Sequence, residues 1–211
     1  MTSEATIFLV DDDQAVRDAV SLFLESKGFA VEVYSNARAF LKAYKPERPG
    51  CLVLDIRMPG ISGLELQEML AARRIHIPII FVTGHGDIPM AAQAIKAGAN
   101  DFLEKPFDNA YLLECVKKGL ETDAERRAVH TEASNIRGRY DRLTRRERDV
   151  LDLVINGYSN KDIAVQLNIS HRTVEVHRHR LMDKMKAASL CELINMCIMC
   201  GIYQPQLKDK K

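Results

Sequence analysis

No run of eighteen apolar residues occurs in this chain of 211 residues, so no segment is long enough to cross a bilayer as a helix. Nor does the chain open with a basic stretch followed by an apolar one, the arrangement of a secretory leader. Neither membrane insertion nor secretion is indicated, and the expected compartment is the cytoplasm. Cysteine is sparse and odd in number: Cys51, Cys115, Cys191, Cys197 and Cys200 lie inside apolar strand or helix patterns, as small reduced core residues do, and make no disulfide framework. Cys197 and Cys200 have the spacing of a redox or zinc pair, but no second pair and no nearby histidine completes a tetrahedral site. Net charge is almost absent too, at +1. Dividing the chain removes that impression. Up to residue 121 there are 13 Lys and Arg against 17 Asp and Glu, and from residue 122 onward 17 against 12. An acidic half precedes a basic half, and a basic module suits a polyanionic partner.

The hydrophobic share, 46%, is enough for real cores, and the length suits two small domains. Residues 5 to 10, 29 to 34, 51 to 55, 77 to 83 and 100 to 104 read as strands, with helical periodicity between them. In the first interval Val16, Ala19, Val20, Phe23 and Leu24 form one apolar stripe, closed by Gly28. Five strands alternating with helices predict a doubly wound parallel α/β sheet. Strand signals stop near residue 104. After residue 121 large apolar residues almost vanish and charges dominate, which marks 122–142 as a charged linker, expected as a fraying extension of the preceding helix, between a domain over 1–121 and another over 143–208.

Beyond the linker the pattern is all helical. Thr144 and Glu147 make a capping box ahead of Val150, Leu151, Val154 and Ile155; Ser159 caps a second helix, Ser170 a third, and Ser189 with Glu192 a fourth. Asn168 supplies the left-handed turn between the second and third. Two short helices joined by a tight turn, the second rich in basic residues, outline a helix-turn-helix. Along the third helix, 100° per residue puts Val174, Leu181 and Met185 on one side and Arg172, Glu175, Val176, His179 and Asp183 on the other. The second set suits the major groove: Arg172 for a guanine edge or a phosphate, Glu175 for a cytosine amino group, Val176 for a thymine methyl. Thr173 joins the DNA-contacting set, and Lys161, Arg178, Lys184 and Lys186 are expected at backbone phosphates. In the fourth helix Leu190, Leu193, Ile194 and Cys197 are expected in the core, with Met196, Ile198 and Met199 left for a homodimer contact.

The strand ends carry the other candidate site. Asp55 ends the run CLVLD ahead of the loop IRMPGISG; Asp11 and Asp12 follow IFLV, Thr83 follows IIFV, and Lys105 follows DFLE. In a parallel sheet these C-terminal ends share one edge. Carboxylates gathered there need a balancing cation, and Mg²⁺ accepts one or two carboxylates while keeping waters and phosphate oxygens. One aspartate, with Asp55 the candidate, is then free to form an aspartyl phosphate, Lys105 and Thr83 holding the phosphoryl oxygens. Asp13 is expected to cap the following helix, and His76 and His85 read as loop histidines. A dehalogenase-type phosphatase would want D-x-D-x-T/V after the first strand; here Asp11 and Asp13 are followed by Ala15, so a dedicated enzyme is not expected. A DNA-binding protein whose acidic pocket is never phosphorylated is the other rival.

VDDD, CLVLDIRMPGISG, VTGHGD and EKP, in this order and spacing, resemble the receiver domain of bacterial two-component response regulators. The resemblance implies a flavodoxin-like sheet of order 2-1-3-4-5 and phosphate delivered to Asp55 by a cognate sensor histidine kinase. It also implies Mg²⁺ held by Asp11, Asp12, Asp55 and the Arg57 carbonyl, a cis bond before Pro106, and a switch pair of Thr83 with Phe102, where many receivers carry Tyr. LTRRERDVLDLVINGYSNKDIAVQLNISHRTVEVHRHRLMDKM resembles the LuxR-type helix-turn-helix. Together they are similar to transcription regulators of the NarL/FixJ type, which implies promoter DNA as ligand, a homodimer on phosphorylation, and RNA polymerase as a further partner. Some relatives carry Lys where Glu175 stands, so their base preferences do not transfer.

Overall fold

The computed structural model describes residues 5–84 and 88–204, without the side chains of residues 88, 89 and 91. His85, Gly86 and the last residues of the expected 143–208 domain lie outside the described residues. The chain divides into two units, 1–127 and 128–211.

In the first unit the strands are β1 (Thr6–Val10), β2 (Ala30–Tyr34), β3 (Gly50–Asp55), β4 (Ile79–Thr83) and β5 (Asp101–Glu104). They form one parallel sheet in the order β2-β1-β3-β4-β5. Helices α1 (Gln14–Ser26), α2 (Ala37–Ala43), α3 (Gly63–Ala72) and α4 (Ile88–Lys96) lie between the strands, and α5 (Asn109–Asp141) follows β5. Successive side chains of a strand point to opposite faces, and the core divides accordingly. Ile7, Leu9, Cys51, Val53, Ile80 and Val82 pack with Val20 and Leu24 of α1 and Leu112 and Val116 of α5. Phe8, Val10, Leu52, Leu54 and Phe81 pack on the other face with Phe40 of α2 and Leu66 and Leu70 of α3. Every residue of β3 is buried, up to and including Asp55. Ala19, expected in the α1 stripe, is exposed: Val20 and Leu24 are the buried members, with Val16 and Phe23 partly covered.

In the second unit α6 (Arg145–Ile155), α7 (Asn160–Leu167), α8 (His171–Met185) and α9 (Leu190–Met199) surround Val150, Leu151, Ile163, Val174, Leu181, Met185 and Leu193. Thr144 and Glu147 form the expected capping box, Ser159 makes another with Asp162, and Asn168 takes the left-handed conformation at φ 51°. Ser189 caps α9, but Glu192 turns its carboxylate to the Ala188 N–H at 2.7 Å. In α9 the buried stripe starts at Leu193 and includes Met196, which packs on the core, whereas Leu190 in the first turn is exposed with Ile198 and Met199. Chain reversal after α9, where the Ile202 and Tyr203 N–H groups bond to the Cys197 carbonyl, brings Ile202 and Tyr203 onto the same core. All five cysteines are free; Cys191 is exposed, contrary to its reading as a core residue.

The stretch expected as a linker, 122–142, is up to Asp141 the continuation of α5. Asp123 is buried in the first unit and Ile136 in the core of the second. Among the described residues no helix is long and apolar enough to cross a membrane.

Candidate acceptor pocket and nucleic-acid interface

Three of the strand-end side chains, those of Asp11, Asp55 and Lys105, meet as the parallel sheet requires. Asp11, Asp55 and Thr83 are almost completely buried at the ends of β1, β3 and β4. Lys105, just after β5, reaches into them: its Nζ lies 2.6 Å from Asp11 Oδ2 and 2.8 Å from Asp55 Oδ1. The Lys105 N–H donates to the Thr83 carbonyl at 2.7 Å, tying the two strand ends together, and the Lys105-Pro106 bond is cis. Asp11 is further fixed by the Asp13 N–H, which donates to its Oδ1 at 2.9 Å, and by Arg17, whose Nη1 donates to its carbonyl at 2.7 Å. Arg17 carries no signal in the strand-end pattern, because it acts on a backbone atom from one turn into α1.

The loop after Asp55 folds back so closely that α3 begins against it. A Cβ on Gly63 would lie 2.3 Å from the Asp55 carbonyl oxygen, so only glycine fits there. The Gly63 N–H donates to the Ile56 carbonyl at 2.9 Å, and the Ser62–Glu65 capping box starts the helix.

Charge in this pocket is unbalanced. Burial pushes the Asp55 carboxyl above the usual carboxylate range; hydrogen bonding and attraction from Lys105 and a hydrogen bond from the Arg57 backbone oppose this, while Asp11 adds to it. For Lys105, burial works to lower the ammonium, but the hydrogen bonds to Asp11 and Asp55 outweigh it and hold the group above its ordinary value. Two buried carboxylates share one ammonium, a surplus of one negative charge. Asp12, next to Asp11 in the chain, is exposed. A lysine stands between the two buried carboxylates, and among the described residues no three acids, histidines or cysteines form a cage. The donor set nevertheless fits Mg²⁺, which needs one or two carboxylates, tolerates a carbonyl and fills the remaining positions with water. Asp13 is occupied elsewhere: its Oδ1 accepts the Ala15 N–H at 2.8 Å and caps α1. Phe102 is half-buried on β5, packed against the core.

In the second unit α8 buries Val174, Leu181 and Met185 completely and turns its opposite side to solvent. A groove there is lined by His171, Arg172, Glu175, Val176, His179 and Arg180. His171 pairs with Glu175 at 3.5 Å and His179 with Asp183 at 3.4 Å, each one helical turn apart. His171 and Arg180 belong to this face and were missed in the sequence; each lies four residues from a member already assigned, Glu175 and Val176. Lys161 and Lys186 are exposed as expected.

Other cations are engaged inside the unit. Arg178 donates to Asn160 Oδ1 at 2.7 Å, and Lys184 pairs with the buried Glu147 at 2.7 Å. Burial raises the Glu147 carboxyl, but Lys184 and the Thr144 hydroxyl and N–H more than compensate and hold it below the usual range. Thr173 Oγ1 lies 2.8 Å from Ser170 Oγ in the helix cap. A helical wheel assigns a face, but not the partner a long side chain finds on the next helix.

Each unit matches a family of known proteins. Residues 7–117 match the family model described as response regulator receiver domain, and residues 141–197 that of bacterial regulatory proteins of the luxR family. The chain is 48% identical over 202 residues to the transcriptional regulatory protein FixJ of Azorhizobium caulinodans, covering 96% of each chain. It is 44% identical to the response regulator protein TodT of Pseudomonas putida, over 91% of this chain and 85% of that one. Among solved structures, the response regulator StyR superposes with a TM-score of 0.84 at 47% identity, covering 93% of this chain and 99% of that one. Full-length FixJ from B. japonicum gives 0.58 at 40% identity, covering 96% of this chain and 100% of that one.

Proposed function

This chain belongs to the response regulators that join a receiver domain to a LuxR-family DNA-binding domain, and from that premise we propose that Asp55 is its phosphoryl acceptor and α8 its reader of promoter DNA. As a member of that family it is a phosphorylation-controlled transcriptional regulator, with a histidine kinase as donor and DNA as ligand. The observation that carries the assignment of Asp55 is its pairing, with Asp11, to the single ammonium of Lys105 at the buried end of β3.

A carboxylate oxygen of Asp55 forms the new P–O bond as the donor's P–N bond breaks, and the electron pair of that bond leaves on the kinase imidazole. Lys105 stabilises charge on the phosphoryl oxygens, and the Thr83 hydroxyl donates to one of them. Asp11, Asp12, Asp55 and the Arg57 carbonyl would hold Mg²⁺, which when bound supplies further neutralisation of phosphoryl charge. The phosphoryl group carries about −1.5 to −2 charges and replaces the single negative charge of the Asp55 carboxylate, so the pocket gains up to about one negative charge. Thr83 and Phe102 respond to that change as the switch pair, and a homodimer forms. The exposed Leu190, Ile198 and Met199 of α9 suit the dimer contact. The dimer then engages RNA polymerase at the promoter, in the cytoplasm, without metabolic turnover.

On DNA, Arg172, Glu175, Val176 and His179 read base edges while Lys161 and Lys186 hold phosphates; Arg178, Thr173 and Lys184 support the helix from behind. Residues up to 127 form the receiver, and the exposed turns that follow connect it to the helical unit.

The test is phosphoryl uptake from acetyl phosphate in Mg²⁺, beside affinity for duplex DNA selected from a random pool by the phosphorylated protein. Asp55→Asn is expected to take up no acid-labile phosphate and to show no gain in affinity. A variant that labels and gains like the wild type overturns the assignment.

A further inference from the structure

The last turns of α5 that belong to the receiver are held by polar contacts instead of apolar packing. Past Leu120, its last core residue, the helix buries no large apolar side chain until Ile136, and Val129 between them is exposed. In that interval Asp123 is buried all the same: its Oδ2 accepts the N–H of Gly50 at 2.9 Å and Arg127 Nε at 2.6 Å. The rest of the Arg127 guanidinium spans three successive carbonyls of the loop before β3, at 2.9 Å to Pro46, 3.0 Å to Glu47 and 2.6 Å to Arg48. Arg126 donates to the carbonyl of His76, in the loop before β4. Residues 128–132 are then exposed.

A guanidinium with five donors in a rigid fork is suited to several fixed acceptors at once. A buried carboxylate that loses its partners is costly, so Asp123 and Arg127 hold or release together. The backbone under them is equally constrained, since a Cβ on Gly50 would lie 1.9 Å from the Thr6 carbonyl oxygen. Gly50 is the first residue of β3 and Asp55 the last. Acceptor and clamp therefore sit at opposite ends of one fully buried strand.

We infer that Asp123 and Arg127 are positioning residues through which the receiver grips the inter-domain helix and passes the phosphorylated state of β3 to the DNA-binding unit. The inference rests on the reading of Asp55 as acceptor. With the grip closed, the helix stays wound through Arg127; with it open, the charged turns beyond Leu120 fray like any unsupported helix end, and phosphorylation no longer sets the state of the second unit.

The test uses the full chain as wild type, Arg127→Gln and Asp123→Asn. Three quantities are read: uptake of phosphate from acetyl phosphate, the gain in affinity for the selected duplex on phosphorylation, and amide exchange over residues 121–135. Both variants are expected to label at the wild-type rate and to bind DNA like the wild type when unphosphorylated. Their gain on phosphorylation falls about fivefold or more, the lower end of typical coupling, and amides 123–127 exchange faster. Asp123 is buried and its variant carries the greater folding risk; Arg127→Gln, at a partly exposed position, decides the matter alone. If Arg127→Gln lowers thermal stability yet keeps the full gain, the grip is structural only and the inference is overturned. A wild-type chain that labels but shows no gain overturns the proposed function and the grip with it.

Discussion

Lys105 is the residue on which the acceptor pocket turns. Its ammonium lies within hydrogen-bonding distance of both buried carboxylates. Lys105→Met removes the group that meets the developing charge on the phosphoryl oxygens. Loss of one such fixed donor lowers rates about 10²- to 10³-fold, and that fall is expected in labelling by acetyl phosphate. Gly63 constrains the same site through space instead of charge. With 2.3 Å between its Cβ position and the Asp55 carbonyl, Gly63→Ala has to displace the acceptor loop, and slower labelling is expected in a variant that remains folded by circular dichroism. Asp55, Lys105 and Thr83 were legible in the sequence because each ends or follows a short apolar run. Arg17 was not, because it stabilises a carbonyl, which has no sequence signature.

At the scale of elements, the helix-turn-helix is held by a polar contact as well as by its core. Glu147 serves twice: it closes the α6 capping box and pairs with Lys184 of α8, 37 residues away. Its carboxyl is held below the usual carboxylate range by Lys184 and Thr144 against the effect of burial, so the folded state binds the proton less readily than the unfolded one. The stabilisation is therefore fully present above about pH 4.5 and is lost as pH falls through the depressed value. Thermal melts of the wild type between pH 6 and pH 3 are expected to show this loss for the helical unit, while Glu147→Gln is less stable at neutral pH and loses less on acidification. Leu181, completely buried in the same unit, gives a contrasting case with no pH dependence. Leu181→Ala is expected to cost about 2–5 kcal/mol, read as an earlier chemical denaturation midpoint with DNA binding lost in parallel.

At the scale of the molecule, the near-neutral total conceals two modules of opposite charge. The basic unit presents Arg172, Lys161 and Lys186 to solvent, and DNA binding through such groups weakens with salt in proportion to the phosphates neutralised. Arg172→Ala is expected to reduce the slope of log affinity against log salt by about 1 if its contact is a phosphate. If Arg172 reads a guanine edge instead, the slope holds and discrimination at one base pair is lost. The same change at Lys184, which is engaged by Glu147, is expected to leave the slope nearly unaltered. Running affinities from 50 to 200 mM salt separates these outcomes.

Order along the chain was enough to determine the parallel α/β sheet, the convergence of Asp11, Asp55, Thr83 and Lys105, and the capped helices of the second unit. Those features depend on local periodicity, on turn chemistry, and on the rule that parallel strands end on one edge. Only tertiary structure decided that Lys105 bridges two aspartates, that Lys184 and Arg178 bond to Glu147 and Asn160, and that Asp123 and Arg127 clamp α5 to the receiver. Long, flexible or charged side chains choose partners by proximity in space, and a helix with no apolar stripe is ordered by contacts from residues far away in the chain.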